Sequence, residues 1–213
     1  MTIRIVFLRE GTSDSGIVPH IEAIAANHDL DVSVTDPELD RLPKPPGLAV
    51  AAKLRAVLEM GGVYDLIVVH RDADNQGVDA RVDEIAAAVA VVTADVPHVP
   101  VVPVRMTEAW LLTSEDEVRR VAGNPTGRMP LGLPNLGALE RIADPKELLR
   151  DALATASGVS GRRLDQVRKR FSQHRRQLLE RLDRDGPVAR LPSWQHFVTG
   201  VEAGLKAACD AGR

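Results

Sequence analysis

Four acidic side chains stand where they could do chemistry. Asp72 and Asp74 follow the strongest apolar run in the chain, Leu66-Ile67-Val68-Val69, with one residue between them. Side chains alternate along extended backbone, so an Asp-x-Asp pair there points both carboxylates the same way. Glu10 comes two residues after a first apolar run, Ile3 to Leu8, and Glu108 follows a later one, Val99 to Val104. Hard divalent cations take carboxylate oxygens, so Asp72 and Asp74 read as a metal clamp for Mg²⁺ or Mn²⁺. Glu10 completes the clamp if its strand lies beside that of Leu66–Val69, as a further ligand or as the general acid/base. Glu108 is the other candidate for a catalytic role. Any one acid after a strand is explained by the polarity of loops. The set carries weight because its members fall at matching strand ends. His70 reads as a buried neutral histidine at its strand end, and Arg71 as a structural partner of Asp74.

These acids need a scaffold. Apolar runs at 3–8, 66–69 and 99–104 and the alternating Val32-Ser33-Val34-Thr35 predict four strands. Thr12 or Ser13 can cap a helix whose apolar positions are Ile17, Val18, Ile21, Ile24 and Ala25. Further helices are predicted over 48–60, stopping at Gly61-Gly62, over 82–92, and from Glu108 onward. Strands alternating with helices imply an α/β unit with a mostly parallel sheet. Ligands of such sheets bind at the carboxyl ends of the strands, where these acids lie. The pattern changes after Thr113. Residues 121–137 read as a loop, and helices are predicted over 145–154, 164–182 and 194–208. The division is therefore 1–115, an α/β domain, and 116–213, a loop with a helical C-terminal extension. Trp110 and Trp194 are expected in the core.

The chain has 213 residues, 44% of them hydrophobic, enough to bury a substantial core. Aromatics are only 3%, so that core must be aliphatic. One cysteine, Cys209, excludes a disulfide framework and a cysteine-rich zinc site. With no secretory signal at the start and no apolar run long enough to span a membrane, the expected location is the cytoplasm. The net charge of −3 hides an asymmetry. Residues 161–190 hold ten Lys/Arg against four Asp/Glu, so an acidic body carries a basic segment. Arg168, Lys169, Arg175 and Arg176 are its candidate contacts to nucleic acid or a partner protein; a plain solvated face explains them as well. Lys146 reads as a surface residue. No phosphate-cradling glycine loop is present, so nucleotide binding of that kind is not indicated. Spacing suggests no Ser-His-Asp or Cys-His arrangement, and the acid pair follows the third strand, not the first as in haloacid-dehalogenase phosphatases and receiver domains.

The ordered blocks Arg9-Glu10-Gly11-Thr12-Ser13-Asp14, Arg71-Asp72-Ala73-Asp74-Asn75-Gln76-Gly77 and Thr107-Glu108-Ala109-Trp110-Leu111-Leu112 resemble the Toprim domain. That domain occurs in topoisomerases, primases and overcoming-lysogenization-defect nucleases. Within it, the blocks are closest to a bacterial Toprim-like family of unassigned function. Asp144-Pro145-Lys146-Glu147-Leu148-Leu149 and Trp194-Gln195-His196-Phe197 are similar to its later blocks. The resemblance implies a Toprim-like fold, Mg²⁺-dependent phosphodiester hydrolysis of DNA or RNA, and an ATPase partner in the manner of phage-defence pairs. It carries over Glu10, Asp72 and Asp74, and gives Glu108 importance without a firm role. One departure stands out: Gln76 occupies the third acidic place of the motif. Two rival expectations remain, a non-catalytic partner of an ATPase and a metal-dependent phosphatase of small molecules. An enclosed pocket would favour the phosphatase, and a groove the nuclease.

Overall fold

The computed structural model describes residues 2–212. Four parallel strands, β1 (Ile3–Leu8), β2 (Val32–Thr35), β3 (Leu66–His70) and β4 (His98–Val101), form one sheet in the order β2-β1-β3-β4. The helices are α1 (Val18–Ala26), α2 (Val50–Glu59), α3 (Val78–Val92), α4 (Glu108–Leu111), α5 (Glu115–Val121), α6 (Pro145–Ser157), α7 (Gly161–Lys169), α8 (Phe171–Glu180) and α9 (Pro192–Ala211). The chain is thus an α/β protein with a parallel sheet and a helical C-terminal part, the class its strand–helix alternation predicts.

The strands split the core in two. Ile3, Ile5 and Phe7 of β1, with Leu66 and Val68 of β3, face α1, α9 and the C-terminal helices. Val6, Leu8, Ile67 and Val69 face α2 and α3 on the other side. Each strand buries both faces, which is why β1 and β3 are continuous apolar runs and not alternating ones. The larger core draws on residues from Ile3 to Ala208, so the C-terminal helices and the sheet share one apolar interior. Trp110 and Trp194 lie in it edge to face, ring centroids 5.1 Å apart, and the Trp110 indole N–H donates to Ser193 Oγ at 2.7 Å. Helix α9 reaches the sheet through Gly204, where an added Cβ would meet Val99 Cγ2 at 2.5 Å.

Some boundaries differ from the sequence reading. β4 ends at Val101, and α3 begins four residues before the expected Val82. A short 3₁₀ segment, Thr12–Ile17, precedes α1. The long helix expected over 164–182 is two helices. Arg170, at φ −90° and ψ 13°, divides α7 from α8. Helix α7 buries no residue, whereas α8 buries Phe171, His174, Arg175, Leu178 and Leu179. Turning at Arg170 lets the second half follow the core while the first stays in water.

Candidate functional site

In this strand order the chain moves one way from β1 to β2 and the other way to β3. The connections leave on opposite faces, α1 on one and α2 on the other, so a crevice opens between the carboxyl ends of β1 and β3. Glu10 follows β1 and Asp72 follows β3. Their strands pair directly, Leu8 beside Val69, and Glu10 Oε2 accepts the Asp72 backbone N–H at 2.9 Å. Glu10, Asp72, Asp74 and Glu108 all line one cavity of about 370 Å³. Sequence spacing and structure therefore bring the same four acids together.

Each acid is held differently. Glu10 Oε2 also accepts from Arg71 Nε at 3.1 Å. Arg71 Nη1 continues to Glu84 at 2.9 Å and the Leu48 carbonyl at 3.1 Å, so its partners are Glu10 and Glu84 and not the expected Asp74. The cation paired with the Asp74 carboxylate is Arg81, at 3.9 Å, while Arg105 Nη1 donates to the Asp74 backbone carbonyl at 3.4 Å. Upstream, Lys53 donates to the Arg9 carbonyl at 2.6 Å and anchors the segment after β1. Asp72 Oδ1 receives the Thr107 backbone N–H at 3.3 Å. Asp74 sits at φ +46°, a left-handed conformation that Asp tolerates better than most residues. Burial, then the like charges of Asp72 and Glu10, push its carboxyl above the usual range. Glu108 is 2% exposed. Burial raises its carboxyl as well, against the pull of Arg175, and its Oε2 has no hydrogen-bond partner.

Behind these acids lies a charged cluster that the sequence reading did not assemble. His70 is fully buried, with Nδ1 3.1 Å from Asp14 Oδ2 and Nε2 3.4 Å from Asp72 Oδ1. These are ion-pair contacts at angles poor for hydrogen bonding. Burial alone would favour the neutral imidazole, but Asp14 and then Asp72 outweigh it and push the group up to about 10. The two carboxylate neighbours of His70 thus favour the charged imidazolium over the expected neutral histidine. Burial would also raise Asp14, yet His70 and Arg175 hold its carboxylate well below the usual range. Asp14 Oδ2 also accepts the Gly11 N–H at 2.7 Å.

Arg175 is the largest departure. It was expected on a solvated or contact-making face with Arg168, Lys169 and Arg176. Instead it is 6% exposed, its Nη1 bonded to Ser13 and Asp14, its Nη2 to Thr107 Oγ1, and its Nε 2.9 Å from Glu108 Oε1. Gly16 permits this approach, since a Cβ there would lie 2.8 Å from Leu179 Cβ on α8. Helical phase was the available signal: Phe171, Arg175, Leu178 and Leu179 share one face. Arg168 and Lys169 are exposed on α7, and Arg176 is exposed and paired with Glu180 at 2.7 Å.

The crevice extends past the acids. The central cavity has Lys146 and Arg150, one turn apart on α6, on its wall. It shares Ser13 and Ser172 with a cavity of about 570 Å³ that includes Arg9, Arg41 and Arg176. On the other side it shares Asp74 and Met106 with one of about 380 Å³ containing Arg81 and Arg105. Gln76 lines that outer cavity, away from Glu10.

Among the described residues no three His, Cys, Asp or Glu side chains are set to hold a metal ion between them. The donor chemistry still suits Mg²⁺, which keeps several waters and takes one or two carboxylates beside substrate phosphates. The contacts of Glu10 run through Oε2 and those of Asp72 through Oδ1, leaving Oε1 and Oδ2 for a ligand. No helix of the described residues is long and apolar enough to cross a membrane. No family model matches the chain, and no curated protein or solved structure is significantly similar to it.

Proposed function

We propose that this chain is a Toprim-like, Mg²⁺- or Mn²⁺-dependent phosphodiesterase acting on DNA or RNA, the effector of an ATPase partner. One observation carries the reading: an acidic centre, Glu10, Asp72 and Asp74, lines the same crevice as basic Lys146 and Arg150. A phosphodiester needs both halves, carboxylates for a cation and cations for its own charge. Asp72 and Asp74 would hold the cation, with Glu10 as a further ligand or as the general acid/base. The cation would supply Lewis-acid stabilisation of the charge that grows on the phosphoryl oxygens. Lys146 and Arg150, on the lining of the same crevice, would orient the phosphate. Glu108, its carboxyl raised by burial against the pull of Arg175, is the candidate general acid/base beside Glu10. The continuity of three adjoining cavities favours a polymer over a small phosphate ester.

A second reading, a non-catalytic partner protein, draws on the internal pairing of the acids: Glu10 with Arg71, Asp72 with His70, Glu108 with Arg175. One experiment separates the two. Single- and double-stranded DNA and RNA are incubated with the protein and Mg²⁺ or Mn²⁺, with and without the ATPase, beside Asp72→Asn. Cleavage by the wild type that Asp72→Asn and EDTA both abolish supports the enzyme. Absence of cleavage under every condition, with association to the ATPase retained, overturns it.

A further inference from the structure

The charged groups behind the crevice close on themselves. Arg175 Nη1 donates to Asp14, and Asp14 Oδ2 lies 3.1 Å from His70 Nδ1. His70 Nε2 lies 3.4 Å from Asp72 Oδ1, and that same oxygen accepts the Thr107 N–H at 3.3 Å. Thr107 Oγ1 accepts from Arg175 Nη2, which completes the circuit. Thr107 and His70 are fully buried, Asp14 and Arg175 nearly so, and Asp72 alone among the five is partly exposed. Five residues from four places in the chain thus form one circuit, and two of them, His70 and Thr107, meet Asp72 Oδ1.

We propose that Arg175 is a positioning residue for Asp72, acting around both arms of this ring, so that α8 is part of the candidate site and not a cover over the fold. A carboxylate at a strand end can rotate about χ2, and each rotation changes which oxygen faces the crevice. Here Oδ1 is engaged from two directions, which leaves Oδ2 as the oxygen presented. Both directions lead back to Arg175, one through Thr107 and one through Asp14 and His70. A guanidinium suits this place because its planar fork reaches Asp14, Thr107 and Glu108 together, which the point charge of a lysine cannot do. The cost of burying Arg175 is offset only while all its partners are in place.

The inference rests on the proposed metal role of Asp72, and the test separates the two. Wild type, Arg175→Lys and Thr107→Val are compared. Thr107→Val removes one arm but keeps the backbone N–H to Asp72, and it serves if Arg175→Lys fails to fold. Mn²⁺ binding is titrated calorimetrically on protein with a cooperative unfolding transition. The ring N–H signals of His70 are followed by NMR without metal. Arg175→Lys is expected to weaken Mn²⁺ at least tenfold and Thr107→Val several-fold. Both should broaden or lose slowly exchanging His70 ring protons seen in the wild type, and lower kcat for any cleaved polynucleotide with little change in KM. Folded variants with unchanged Mn²⁺ affinity and unchanged His70 signals overturn the positioning role. A wild type that binds no Mn²⁺ overturns the metal reading instead; the His70 signals then decide whether Arg175 holds the ring.

Discussion

Replacing His70 by Gln should change how stability depends on pH, and the change can be worked out from the structure. The imidazole is fully buried between Asp14 and Asp72, and its pKa is pushed from 6.5 to about 10. A group whose folded pKa exceeds its unfolded value stabilises the fold fully below the unfolded pKa. That contribution is lost as the pH rises through the folded pKa. The window here runs from about pH 6.5 to about pH 10. At about 1.36 kcal/mol per unit, the shift corresponds to a ceiling of roughly 5 kcal/mol, of which about 3 kcal/mol disappears between pH 6 and pH 9. Asp14 does not confuse this window, because its carboxyl is held low and its contribution fades only on the acid side. Urea unfolding with EDTA present, at pH 6 and pH 9, measures the effect. At pH 6 the variant should be less stable than wild type by about 3–5 kcal/mol, the usual cost of removing one member of a buried ion pair. By pH 9 the gap should narrow by about 3 kcal/mol. Parallel pH curves for the two proteins would show that His70 is neutral in the fold and refute the reasoning.

Other outcomes follow from the same geometry. Replacing Arg168, Lys169 and Arg176 by Ala, with Arg175 left in place, should flatten the salt dependence of nucleic-acid binding by about 0.9 in log K per log salt for each duplex phosphate no longer neutralised. Filter binding at two or more salt concentrations reads this, and an unchanged slope makes these three residues a plain solvated face. Gly204→Ala should destabilise by roughly 1–3 kcal/mol through overpacking against Val99, seen as a lower urea midpoint with an unchanged m-value.

The local pattern was enough for much of this protein. Apolar runs bounded by charge are strands wherever both faces are covered, so β1 and β3 could be read from five or six residues each. Their parallel pairing then brings Glu10 to Asp72, because acids just past two neighbouring strands must share an edge. Asp74 and Glu108 followed by the same argument.

What the sequence could not decide is the charge and direction of the groups behind them. Arg175 stands in a basic run beside Arg176, and local composition treats the two alike. Only the packing of α8 against the Thr12–Ile17 segment turns one inward to Asp14, 161 positions away, and leaves the other in water. His70 is a histidine at the end of an apolar strand, and burial by itself makes such a group neutral. Its charge depends on two carboxylates arriving from different parts of the chain. Strand identity is set by neighbours in sequence, whereas ionisation and ion pairing are set by neighbours in space, and those exist only once the chain has folded.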